Sequence, residues 1–350
     1  MFVLQSTKVY AIIGLNSIIS KNMNITTQIS LPNEPNAYAA IASLFVLSTT
    51  TTTVNAGCLV IIRKSKKMLT RPSVHFIINI LVVDLLQGTF VIPIYAIKKI
   101  KIQNRFWENF VCDSFRFLYM ITYYMSIFCV LLIALDRYIA TTFIFKYRTL
   151  IKIKTVRIIT ISSWIYVTAL CLIPFYKVPS QHISNQENDS CIYRPSNNWT
   201  ITMLILNCFI PYLVILFFYS CIFKHIQNIE NQSGRDRRGD RSLSDNARIV
   251  LKIAVFVSIC YAICWTPSVI YYVLGKFCPK YCFSKNFKNS TGRSNIEFAI
   301  KYIGFLNSLG APLVYCLTVK EFRYRLPFSK KGSMKTVSTT CDAYANMSRM

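Results

Sequence analysis

Residues 112–138 read CDSFRFLYMITYYMSIFCVLLIALDRY, with Cys112 at one end and Asp136-Arg137-Tyr138 at the other. Between these ends the only charges are Asp113 and Arg116, both close to Cys112. A helix rises about 1.5 Å per residue, so Cys112 and Asp136 stand about 36 Å apart. That slightly exceeds the roughly 30 Å hydrocarbon core of a bilayer. The cysteine therefore falls at one membrane face and the acid–base triplet at the other. A helix over residues 111–142 serves as the reference for the rest of the chain.

Working outward, the apolar residues collect in blocks of the same kind. The chain is 53% hydrophobic and carries a net charge of +26. Its blocks are nearly free of charge, as in membrane-spanning helices. The first block is residues 38–62, since no charge occurs between Glu34 and Arg63. Next come 73–97, the reference helix, 158–176, 201–223, 249–275 and 296–319. After the first stands RKSKK at 63–67, and by the positive-inside rule the N-terminus lies outside. Seven spans then leave the C-terminus inside. The basic balance fits loops on a membrane protein. It does not fit a nucleic-acid partner, because no soluble domain of useful size is left over.

The expected fold is an all-α membrane protein, a seven-transmembrane helix bundle followed by a short cytoplasmic amphipathic helix. Residues 1–37 form an extracellular N-terminal tail and 38–319 the bundle. Residues 320–328 (KEFRYRL and its flank) lie along the inner surface, and 329–350 form the cytoplasmic tail. Residues 9–19 are similar to a signal-peptide core but lack a clear cleavage site, so both a leader and an unprocessed tail stay open. Glycosylation sequons at Asn24, Asn188, Asn198 and Asn289 fall outside, whereas those at Asn231 and Asn346 fall inside. Residues 224–248, with NQSGRDRRGDRSLSD, read as a flexible linker. The outer loops are basic too, with Lys98, Lys99 and Lys101 after the second span and Lys276 to Arg293 after the sixth. Attraction of an anionic ligand and plain compositional drift both account for this.

Landmarks in successive spans resemble those of the rhodopsin-like (class A) G-protein-coupled receptors over about residues 38–328. They are Asn55, Asp84, Asp136-Arg137-Tyr138, Trp164, Pro211 with Tyr219, Cys264-Trp265-Thr266-Pro267, and Pro312-Leu313-Val314-Tyr315. The resemblance implies a receptor without a catalytic step, which passes an extracellular signal to a heterotrimeric G protein at the plasma membrane. Arrestin and a receptor kinase are implied as partners, with Ser333, Thr336, Ser338, Thr339 and Thr340 as kinase sites; Cys341, far from the membrane end, reads as a free thiol with palmitoylation as the alternative. The implied switch is Asp136, Arg137, Tyr138, Tyr219, Trp265, Pro267, Pro312 and Tyr315. Relatives often carry an acid where Ala247 stands, so a second restraint on Arg137 is absent and a raised basal activity is expected.

The resemblance further implies a disulfide between Cys112 and Cys191; Cys278 and Cys282 form a second candidate pair. No cofactor is implied beyond an allosteric sodium ion at Asp84, Ser126, Asn307 and Ser308. Ala311 stands where the family has asparagine, which leaves sodium and a protonated Asp84 as competing states.

Tyr119 occupies the position of the amine receptors' aspartate, and Phe305 that of the opsins' lysine, so neither ligand class is expected. FCPKYC at 277–282 and VIPIYAI at 91–97 are similar to adenosine-receptor segments, although Tyr272 replaces the asparagine that those receptors use. Pocket walls by position are Tyr119, Met120, Tyr123, Trp265, Tyr272, Lys301 and Phe305, with peptide and nucleoside-like ligands both open. Lys301 either faces this pocket or pairs with Glu297 four residues earlier, the pair being the slightly favoured reading. A transporter or channel is the alternative function class. Against it, no internal repeat occurs, and Asp84 is the only acid deep in a span. HExxH, phosphate-loop and GxSxG motifs do not occur, so a membrane enzyme is not expected.

Overall fold

A computed structural model describes residues 29–30, 35–102, 104–177, 197–232, 238–278 and 291–312. Among these, six helices are long and apolar enough to cross a membrane: Ala37–Arg63, Pro72–Lys98, Phe106–Thr142, Ile153–Phe175, Asn197–Asn228 and Val255–Phe277. A seventh helix, Thr291–Leu306, tightens into a 3-10 turn at Asn307–Leu309 and is described as far as Pro312. The amphipathic stretch 320–328, the tail and Tyr315 lie outside the described residues.

The third helix begins at Arg105 rather than near Val111. Asn104 explains the early start, because its side chain accepts hydrogen bonds from the backbone N–H groups of Phe106 and Trp107. The fifth helix runs to Gln232 and the sixth begins at Arg238. The segment 224–248 is thus largely helical, contrary to the expected linker. It contains no proline to stop the helices. A further helix, Ile144–Leu150, follows the third span, between two of the apolar blocks.

Two spans contain a π turn. The second widens at Gln87–Val91 ahead of Pro93, and the fifth widens at Ile205–Phe209 ahead of Pro211. A proline ring clashes with the carbonyl four residues earlier. Those residues, Thr89 and Asn207, lie inside the widened turns, which absorb the missing hydrogen bond.

Burial runs opposite to that of a water-soluble protein. Asn55, Asp84, Gln87, Asn79 and Ser126 are buried, while Ile158, Ile165, Leu213, Phe217 and Ile263 are exposed. An outer belt of large aliphatic residues suits lipid, and the polar groups turn inward. The chain is therefore a multi-pass membrane protein. The third helix is its axis: Met125, Ser126, Ile127, Cys129 and Ala134 are fully covered.

Polar clasps bind the spans to one another. Asn55 donates to the Ser308 carbonyl at 3.0 Å, joining the first and seventh. Trp164 donates to Asn79 Oδ1 at 2.9 Å, and Asn79 donates to Cys129 Sγ at 3.1 Å, joining the fourth, second and third. Ser48 donates to the Gly88 carbonyl at 2.8 Å. A Cβ on Gly88 would stand 2.9 Å from the Thr52 backbone nitrogen, so only glycine permits this approach. The segment before the first span pairs with the turn after the second, Ile29 opposite Ile102 and Ser30 opposite Lys101, as two short antiparallel strands.

Candidate functional site

At the Asp136 end, Arg137 and Asp136 form an ion pair, and both are buried. The same carboxylate accepts a hydrogen bond from the Tyr147 hydroxyl at 2.7 Å and a longer one from Ser73 Oγ at 3.4 Å. The two hydroxyls are 2.9 Å apart. Burial, and then the Asp136 charge, holds the Tyr147 phenol above its ordinary range, so it stays protonated and can donate. Neither residue stands out in the sequence. Tyr147 lies among Lys146, Arg148 and Lys152 after the third span, and Ser73 is a small polar residue at a helix start.

Tyr219 and Arg137 are electrostatic neighbours, but the Tyr219 hydroxyl lies 2.9 Å from Ser258 Oγ on the sixth helix. Tyr138 stacks on Phe218 with centroids 5.0 Å apart. Four of the expected switch residues, Asp136, Arg137, Tyr138 and Tyr219, thus gather at one end of the third, fifth and sixth helices.

Mid-bundle, Asp84 is 1% exposed, and neither carboxylate oxygen makes a hydrogen bond among the described residues. The Ser308 hydroxyl is the polar group facing this carboxylate, and it too lacks a partner at full hydrogen-bond geometry among the described residues. Ser126 donates to the Thr122 carbonyl at 2.8 Å, which leaves its own oxygen as an acceptor. Asn307 is half-buried. Orphaned oxygens of this kind suit a monovalent cation or a proton on the carboxylate. Ala311 is buried and adds no polar group.

Toward the Cys112 end lies an aromatic cluster. The Trp265 ring stands 4.6 Å from Tyr123 and 5.7 Å from Tyr119, and it lies against Gly304 of the seventh helix. Tyr119 meets Phe305 at 6.1 Å, and its hydroxyl lies 3.3 Å from Ser268 Oγ. These contacts bring together Tyr119, Tyr123, Trp265 and Phe305 from the expected pocket. Met120 is half-buried on the same helix, and Tyr272 is 45% exposed with its ring on Tyr271. Pro267 lies inside the sixth helix, two residues beyond the indole.

Lys301 shares features of both expectations, since Glu297 acts on it electrostatically and its ammonium also lies among aromatic rings. Its ammonium lies over Tyr95 at 5.1 Å and Phe115 at 5.2 Å, whereas Glu297 accepts from the Tyr271 hydroxyl at 3.0 Å. The aromatic faces and Tyr271 thus add to the electrostatic coupling between Lys301 and Glu297. The rings of Tyr95, Phe115 and Phe298 were not expected here, although Tyr95 sits within the quoted VIPIYAI.

Cys112 and Cys278 are each disulfide-bonded. The expected partners Cys191 and Cys282 lie outside the described residues, as do Asn24, Asn188 and Asn289; Asn198 is exposed at a helix start.

The family model for the 7 transmembrane receptor (rhodopsin family) matches residues 54–315. Dopamine receptor 4 of Caenorhabditis elegans is 25% identical over 209 residues, covering 57% of this chain and 40% of that one. Melanopsin-A of Danio rerio is 26% identical over 214 residues, covering 57% and 36%. Tachykinin-like peptides receptor 86C of Drosophila melanogaster is 24% identical over 266 residues, covering 71% and 50%. The chain spans half or less of the length of these three relatives. A family match over most of the chain agrees with the seven helices, their landmark residues and the inward polar groups, and the chain belongs to the rhodopsin family of seven-transmembrane receptors.

Proposed function

We propose that this chain is a ligand-activated receptor that promotes nucleotide exchange on a heterotrimeric G protein. In this reading it sits in the plasma membrane with the N-terminus and Cys112 outside and the C-terminus and Asp136 inside. Arrestin and a receptor kinase act on the tail. The observation that carries the reading is the tie between Arg137, Asp136, Tyr147 and Ser73. A buried guanidinium held by a carboxylate that is itself held by two hydroxyls is a two-state element. Opening it exposes a cation to a partner, and a ligand shifts the balance only if it binds the two states unequally.

The third helix connects this element to the aromatic cluster. Tyr119 and Tyr123 touch Trp265, and Trp265 precedes Pro267, where the sixth helix lacks a backbone hydrogen bond and can hinge. Tyr219, now on Ser258, moves to Arg137 when the sixth helix swings. Asp84, Ser126, Asn307 and Ser308 would hold a sodium ion in the resting state, with protonation of Asp84 as the alternative.

The relatives' names cover a dopamine receptor, a melanopsin and a receptor for tachykinin-like peptides, so likeness alone does not choose a ligand. Tyr119 offers no carboxylate to an ammonium, and Phe305 offers no amine for a Schiff base. To test the reading, the chain is expressed in cells and ligand-free second-messenger output is compared with Arg137→Ala at matched surface density. A basal signal lost in the variant supports it. A basal signal unchanged by the variant overturns the mechanism and brings a transport assay forward.

A further inference from the structure

The aromatic cluster at the Cys112 end carries an unusual amount of positive charge. Lys99 Nζ stands 5.5 Å from the Tyr95 centroid and 5.9 Å from that of Phe298. Lys301 Nζ stands 5.1 Å from the same Tyr95 ring, on its way to Phe115. Lys98 Nζ lies 5.6 Å from Phe115. Two ammonium groups from different spans thus share one ring, and a third is next to it.

Lys98 and Lys99 close a membrane span, where lysines commonly snorkel toward head groups. Lys301 does not fit that explanation. It is 7% exposed, and its ring partners Tyr95 and Phe115 are buried. Among the described residues its ammonium makes no hydrogen bond or ion pair. Lys99 reaches only Ser294 Oγ, at 3.4 Å. Glu297 is the acid that acts on both lysines, and it also accepts a hydrogen bond from Tyr271. Burial first, and then the charge of Lys301, pulls the Lys99 ammonium below its usual range, with Glu297 acting the other way. Ring faces attract cations less strongly than a carboxylate does. Among the described residues, Lys99 and Lys301 thus share a single carboxylate, that of Glu297.

Resting on the receptor reading, we propose that this mouth binds an organic anion. Its carboxylate or phosphate lies between Lys99 and Lys301, and its apolar part lies on Tyr95, Phe115 and Tyr119. Two arms of the test separate a soluble anion from a lipid head group.

Full-length chain is purified into neutral phosphatidylcholine nanodiscs, and its Tm is followed in citrate and in pyrophosphate against sodium chloride of equal ionic strength. The proposal expects an increment of about 3 °C in the polyvalent anions. It should be absent in Lys99→Gln and Lys301→Met and retained in Lys301→Arg. ATP against adenosine, and 4-phenylbutyrate against 4-phenylbutanol, then sort the soluble class. Discs with phosphatidylglycerol test the lipid source. No increment in the wild type, or the same increment in the charge-removing variants, overturns the proposal. If Lys301→Met does not fold, Lys99→Gln against Lys301→Arg decides. The readout needs no G protein, so a failed signalling assay and a failed anion site are told apart.

Discussion

Tyr147 is the strongest external restraint on Asp136, donating at 2.7 Å where Ser73 manages only 3.4 Å. Tyr147→Phe leaves the ring in place and deletes the donor. A hydrogen bond to a charged group contributes roughly 1.5–3 kcal/mol. Even the lower figure shifts a two-state balance by about tenfold. We expect ligand-free signalling to rise several-fold in Tyr147→Phe and much less in Ser73→Ala, measured by second-messenger output at equal surface density. Equal effects of the two would mean that distance does not rank these contacts. Asp84 gives a second residue-scale prediction. Its two buried, unsatisfied oxygens oppose folding unless a cation or proton joins them. Asp84→Asn should raise Tm in sodium-free buffer, and the gain should shrink when sodium replaces a large organic cation at equal ionic strength. A gain independent of sodium points to the protonated carboxyl instead.

At the scale of the element, the first and second spans are set by one close approach. A methyl on Gly88 would press on the Thr52 backbone, whereas one on Gly310 would meet Cys260 Cβ at an ordinary 3.7 Å. Overpacking costs about 1–3 kcal/mol, and glycine inside a helix costs up to about 1 kcal/mol against alanine. Gly88→Ala should therefore lower Tm by several degrees, and Gly310→Ala should leave it level or slightly higher. Thermal unfolding of both variants in the same detergent checks this pair; a neutral Gly88→Ala would contradict the close packing.

Spans of this kind were legible because about twenty uncharged residues between basic loops have only one stable place to be. A proline inside a span removes a backbone donor, but the sequence does not say that a π turn ahead of Pro93 and of Pro211 absorbs the loss. The helix at Ile144–Leu150 and the early start at Arg105 were not legible in this way. They depend on a cap and on docking against Asp136 and Ser73, and apolar periodicity records neither. Lys301 shows the same limit. Four-residue spacing suggested the coupling with Glu297 but not the neighbours that both side chains also meet on the second, third and sixth helices.

Over the whole molecule, the third helix links three layers: the lysine-rich aromatic mouth, the buried Asp84 region and the Arg137 ion pair. Each layer spans several helices, through Tyr119 with Trp265 and Phe305, through Asn79 with Cys129 and Trp164, and through Asp136 with Tyr147 and Ser73. A rigid axis with clasps at three depths lets a change at one end bias the other, provided that the sixth helix has two stable positions. Tyr219 distinguishes those positions, since its hydroxyl is on Ser258 here and lies within the field of Arg137.

The most direct measurement is GDP release from purified heterotrimeric G proteins incubated with the full-length chain in nanodiscs, beside Arg137→Ala. The account predicts that the chain accelerates release from at least one G-protein class, that Tyr147→Phe accelerates it further, and that Arg137→Ala abolishes the acceleration while leaving Tm within a few degrees. A folded Arg137→Ala chain that releases GDP as fast as the wild type would contradict it.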